Sequence, residues 1–82
     1  MEKARFDVLL TLIGYNIRRI RTSNGFTMEV LANLAGIEYR QLGKIERGEA
    51  NSTVKTLHRI AEALGVGIAE IFTAAPLNTE KF

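Results

Sequence analysis

Two short stretches of helical apolar periodicity meet at Gly36, and this junction constrains the chain's fold more than any other feature. Upstream of it, Thr27 is a good N-cap, and Glu29 falls in the first helical turn, where the helix dipole favours an anion. Val30, Leu31, Leu34 and Ala35 follow at helical spacing, and Ala32 is small enough for a second helix to cross closely. Gly36 supplies the left-handed backbone conformation that ends a helix. Ile37 plugs the turn, and a new apolar pair, Leu42 and Ile45, opens three residues apart. The stretch from Phe26 to Gly48 therefore reads as a helix, a tight turn and a second helix that crosses the first.

The second of these helices spans about residues 38–47. With Leu42 and Ile45 facing inward, the spacing turns Tyr39, Arg40, Gly43 and Lys44 outward together. A helix that buries one side and presents cations and hydrogen-bonding groups on the other has the shape and charge to enter a DNA major groove. Arg40 is the strongest base-reading candidate, because its planar fork matches guanine O6 and N7. Lys44 can reach a base or a phosphate, Tyr39 can meet a thymine methyl or a phosphate, and Gln41 lies beside them. Phosphate contacts call for other chemistry. The backbone N–H groups at Thr27 and Met28 open one helix, and Asn51 and Thr53 open another. Arg18, Arg19 and Arg47 are candidate charge partners.

The flanking segments complete an all-α domain of five helices. A first helix is predicted over about Arg5 to Thr22, with Phe6, Leu9, Leu10, Ile13, Ile17 and Ile20 as its core stripe. Val8, Leu12 and Tyr15 form a second apolar line, which reads equally as a wider buried stripe or as a subunit contact. Ser23-Asn24-Gly25 is a turn. A fourth helix starts at Ser52 or Thr53, carries Val54, Leu57, Ile60, Ala61 and Leu64, and ends at Gly65. A short fifth carries Ile68, Ile71 and Phe72, and Pro76 closes the regular structure. No strand alternation or internal repeat occurs. The expected division is an extension of helix 1 over 1–12, the domain over 13–72 and a tail over 73–82.

Composition narrows the function. The chain has 82 residues, no cysteine and one histidine, which excludes disulfide staples, thiolate metal sites and a histidine metal cluster. So small a domain is held by packing alone or is helped by self-association, for which Ile68, Ile71, Phe72 and Leu77, with Phe82, are the expected surface. Charge is unevenly distributed. Between Asn16 and Arg59, eight cations face four acids, whereas the flanks carry three cations and five acids. A cationic centre fits a local anion-binding face. No apolar run is long enough for a membrane span. Lys3 and Arg5 before an apolar stretch are not read as a leader, because Asp7 interrupts it and Asn16, Arg18 and Arg19 follow. A cytoplasmic protein is expected. No paired carboxylates, Ser/His/Asp set or glycine-rich phosphate loop appears, and His58 lacks a catalytic companion, so neither an enzyme nor a cofactor is expected. No small-molecule ligand is evident.

Taken together, Thr27, Leu31-Ala32, Ala35-Gly36-Ile37, Leu42 and Ile45-Glu46-Arg47-Gly48 resemble the Cro-like phage-repressor family, the XRE-type helix-turn-helix proteins. Ile13-Gly14, Ile17, Ile20 and Arg21 are similar to that family's first helix. Asn51, Thr56-Leu57, Ile60-Ala61, Ala63 to Val66 and Ile71-Phe72 are similar to its last two. The resemblance implies base contacts at Tyr39, Arg40 and Lys44, and a partly buried ion pair between Arg21 and Glu46. It also implies a repressor-like, sequence-specific regulator of transcription that binds double-stranded DNA as a symmetric homodimer. Three positions depart from the pattern. Met28 stands where glutamine is usual, Glu38 where Ser or Thr caps the reading helix, and Glu49 adds an anion to the loop. These departures keep a second class open: a protein-interaction or antitoxin-type module on the same scaffold with weak or no DNA binding.

Overall fold

The computed structural model describes residues 2–74, with side chains from Arg5 onward. It contains α1 (Glu2–Ser23), α2 (Met28–Ala35), α3 (Tyr39–Glu46), α4 (Val54–Leu64) and α5 (Ala69–Phe72), with no strand among the described residues. The fold is all-α. Helix α1 begins earlier than its apolar spacing predicts, because Glu2, Lys3 and Ala4 are helix formers and contain no breaker.

The sequence signals at the helix ends act as expected on α2 and α4. The Thr27 hydroxyl accepts the Val30 N–H at 3.1 Å, and the Thr53 hydroxyl accepts the Thr56 N–H at 3.1 Å. Gly36, at φ 72°, lets the Ile37 N–H turn back to the Ala32 carbonyl at 3.0 Å, closing α2 and aiming the chain into α3. Glu38 starts α3 with extended backbone, but its side chain makes no capping bond.

The core draws on every helix. Ile13, Ile17 and Ile20 come from α1; Leu31, Ala32 and Ala35 from α2; Leu42 and Ile45 from α3; Leu57, Ile60, Ala61 and Leu64 from α4; and Ile71 from α5. Helix α2 lies against α4 and α3, while α1 spans the domain and touches α3, α4 and α5. At roughly 1.5–3 kcal/mol for each large aliphatic side chain removed from water, this cluster supplies the main driving force for folding.

Several apolar residues predicted for the core lie outside it. Phe6 and Leu9 stay about two-fifths exposed and, with Val54 and Phe72, line an open groove at the start of α1. Val30 and Leu34 are exposed, because Leu31, Ala32 and Ala35 already fill the contacts of α2. Val8 and Tyr15 are exposed, so the Val8–Leu12–Tyr15 line is no extension of the buried stripe in this chain. The opposite correction applies to Ile71. Expected at a subunit surface, it is fully buried, since α5 is four residues long and lies on α1 through this side chain.

A polar anchor holds α5 in place. Asn16 is fully buried in α1, and its amide donates to the Ile71 carbonyl at 2.7 Å and the Thr73 carbonyl at 2.9 Å. A single helical turn has no stability of its own in water. Ile71 and Asn16 together give this one its position.

Candidate nucleic-acid interface

Helix α3 is fixed to α1 by a charge pair and by a backbone contact. Arg21 Nε donates to Glu46 Oε2 at 2.7 Å, and its Nη2 donates to Oε1 at 3.0 Å. Its remaining arm, Nη1, donates to the Phe26 carbonyl at 2.9 Å, so one guanidinium ties together α1, the turn before α2 and the end of α3. Both side chains are nearly buried. Gly14 makes the second contact. A Cβ on this residue would come within 2.5 Å of the carbonyl oxygens of Ile45 and Glu46. Only a bare backbone lets α1 sit this close to the last turn of α3.

So held, α3 turns Leu42, Gly43 and Ile45 inward and leaves Tyr39, Arg40, Gln41 and Lys44 exposed. Tyr39 retains 56% of its accessible surface at the helix's first residue. Gly43, expected on the outer face, is buried, with Met28 and the Arg47 guanidinium around it. The exposed face of α3 therefore carries Arg40 and Lys44, four residues apart, with Tyr39 and Gln41 on their flanks, and Arg47 is exposed at the C-cap just beyond.

The residues expected at phosphates fall into two groups. Thr27, Asn51 and Thr53 are exposed at the starts of α2 and α4, where first-turn N–H groups lack helical partners. Arg18 is exposed, and Arg47 is exposed but paired with Glu49, Nε to Oε2 at 3.2 Å. The other group is committed to the protein. The Met28 side chain is half-buried against the core beside Gly43, which leaves its backbone N–H as its polar contribution. Arg19 is half-buried along α1, with Nη2 at 3.5 Å from Asn16 Oδ1 and Nε enclosed without a partner. At the expected subunit surface, Phe72 is partly exposed and Ile68 half-buried, while Leu77 and Phe82 lie outside the described residues. No group of residues able to hold a metal ion occurs among the described residues, and no described helix is long and apolar enough to cross a membrane.

Reading the sequence alone missed three features: the buried Asn16, Gly14 as a contact point and the Arg47–Glu49 pairing. Two of them left a signal. A glycine inside a helix costs about 1 kcal/mol relative to alanine, so Gly14 marked a close approach. An asparagine beside an isoleucine stripe marked a buried hydrogen-bonding group. The third left none, because residues two apart across a turn can point anywhere.

Comparison with known proteins agrees with this architecture. A family model described as "Helix-turn-helix" matches residues 17–71. The chain is 40% identical over 62 residues to the uncharacterized HTH-type transcriptional regulator y4dJ of Sinorhizobium fredii, covering 76% of this chain and 80% of that protein. It is 31% identical over 70 residues to control protein C.SmaI of Serratia marcescens, covering 85% and 83% of the two chains. Among solved structures, the restriction-modification controller protein C.AhdI of Aeromonas hydrophila superposes with a TM-score of 0.75 at 33% identity, over 77% of this chain and 96% of the other. The turn at Gly36, the Arg21–Glu46 tie and these matches lead to one conclusion: the chain belongs to the helix-turn-helix family, in its XRE-type, Cro-like branch.

Proposed function

We propose that this protein is a DNA-binding regulator of transcription that places α3 in the major groove and acts as a symmetric dimer. The observation that carries the reading is the division of α3. Its buried side and the Arg21–Glu46 tie make it a rigid bar, and its free side is a line of cations ending in guanidinium and ammonium groups. Arg40, central on that side, is assigned to guanine recognition, with Lys44 and Tyr39 beside it and Gln41 on the flank. The first turns of α2 and α4, with Thr27, the Met28 N–H, Asn51 and Thr53, are assigned to phosphates on either side of the groove. Arg18 adds charge. Arg19, folded against Asn16, is a weaker candidate than its neighbour. An eight-residue helix reads only a few base pairs, and two copies related by a dyad would read half-sites with centres about 34 Å apart.

The proposed contact between copies is the apolar groove that joins Phe72 to Phe6, Leu9 and Val54. Among the similar proteins, C.AhdI is named a restriction-modification controller, which makes control of restriction-modification genes the first narrower reading to test.

Selection of bound sequences from a random duplex pool tests the proposal. Wild type should enrich a two-fold symmetric sequence, and its affinity should fall steeply with salt as phosphates are neutralised. Arg40→Ala should relax preference at one position of each half-site, a loss of roughly 1–3 kcal/mol of discrimination. An unchanged preferred sequence would remove Arg40 from the reading face. Salt-insensitive or absent DNA binding would point instead to a protein-interaction module.

A further inference from the structure

Arg40 and Lys44 are exposed on α3 and Arg47 is exposed at its C-cap, yet in the free protein Arg47 has a side-chain partner. Its Nε donates to the Glu49 carboxylate at 3.2 Å, across the turn that leaves the helix. Beneath it is Gly43, where a Cβ would meet Arg47 Nη1 at 3.1 Å and the Met28 methyl at 3.4 Å. The guanidinium thus lies across bare backbone at the seam of α2 and α3, with Met28 on one side and Glu49 on another. Arg18, Arg21, Met28, Gly43, Glu46 and Arg47 enclose the shallow depression there. Arg21 is committed to Glu46 and the Phe26 carbonyl. Arg47, the residue that follows the last turn of α3, is held only by a solvent-exposed partner: the two side chains retain 58% and 56% of their surface.

We propose that Glu49 is a positioning residue that competes with DNA for Arg47, holding the guanidinium ready beside the reading face and setting binding strength by having to be displaced. The inference rests on the proposed DNA reading and names a determinant of affinity within it. The magnitudes allow the exchange. An exposed carboxylate–guanidinium pair holds its partners by no more than about fivefold in equilibrium. Duplex DNA presents a dense row of phosphates and releases counterions when a cation binds, so Arg47 transfers readily. Glu49 then opposes binding twice, through the broken pair and through its freed charge beside the phosphates. The first effect passes through Arg47 and the second does not, so a double-mutant cycle separates them.

The experiment uses the full chain and a duplex enriched by wild type from a random pool, with binding followed by fluorescence anisotropy at several salt concentrations. Glu49→Gln should tighten binding two- to fivefold and steepen the plot of log affinity against log salt by up to about one unit. Arg47→Gln should weaken binding, and adding Glu49→Gln to it should tighten binding by a smaller factor than in wild type, the remainder being the direct repulsion of the carboxylate. Glu49→Asp, which keeps the charge, should retain the wild-type slope, and all variants should melt within a few degrees of wild type. Equal tightening by Glu49→Gln in the presence and absence of Arg47 would overturn the proposal in favour of simple repulsion. No tightening at all would also overturn it. Failure of wild type and every variant to bind any selected duplex would instead overturn the DNA reading, and the competition with it.

Discussion

Gly14 shows how much one missing methyl group decides. A Cβ placed there meets two backbone oxygens of α3, which no side-chain rotation can move aside. Gly14→Ala should therefore destabilise the fold by roughly 1–3 kcal/mol even though alanine is the better helix former, measured by chemical denaturation. Stability equal to or above wild type would show that α1 and α3 can slide apart freely. Asn16 is the polar counterpart. Removing its amide leaves the Ile71 and Thr73 carbonyls without their donor, so Asn16→Ala should cost about 1–3 kcal/mol. At about 4–8 °C per kcal/mol for a domain of this size, the thermal midpoint reports the loss. A variant that kept the wild-type midpoint would show that α5 is held by Ile71 alone.

At the level of elements, the legible features were those fixed by local chemistry. Thr27, Gly36, Thr53 and Gly65 marked helix ends because caps and left-handed turns act within a few residues. The helical spacing of Ile13, Ile17 and Ile20 marked the buried side of α1 for the same reason. Illegible features depended on which helix ends where in space. Phe6, Leu9 and Val54 continue their helices' apolar periodicity but line an open groove, and Gly43 turns inward because α2 approaches α3 at Met28. Spacing also could not show that Arg47, at the C-cap of α3, is tethered to Glu49. The tie between elements is testable. Glu46→Ala leaves a nearly buried Arg21 unpaired and should cost about 3 kcal/mol or more, whereas Glu49→Ala removes only an exposed pair and should cost under about 1 kcal/mol. Equal melting temperatures for the two variants would mean that the Arg21–Glu46 bridge does not fix α3.

For the whole molecule, the open groove at the start of α1 is where assembly is expected. Val54 retains 70% of its surface there while occupying the first turn of α4, where an acidic residue suits the helix dipole. Val54→Asp should thus leave the folded monomer intact but weaken self-association at least about tenfold, a change of about 1.4 kcal/mol readable by sedimentation equilibrium. An unaltered dissociation constant would move the contact elsewhere, with the exposed Val8–Tyr15 patch as the next candidate.

The flush seating of the Gly14 backbone on the last turn of α3 has a consequence for the DNA. With no slack between α3 and α1, two protomers joined through an equally stiff contact would carry a fixed angular gauge. Inserting one base pair between half-sites rotates one of them by about 35° relative to its mate. A protein built this way would sense the length of its operator as strictly as its letters.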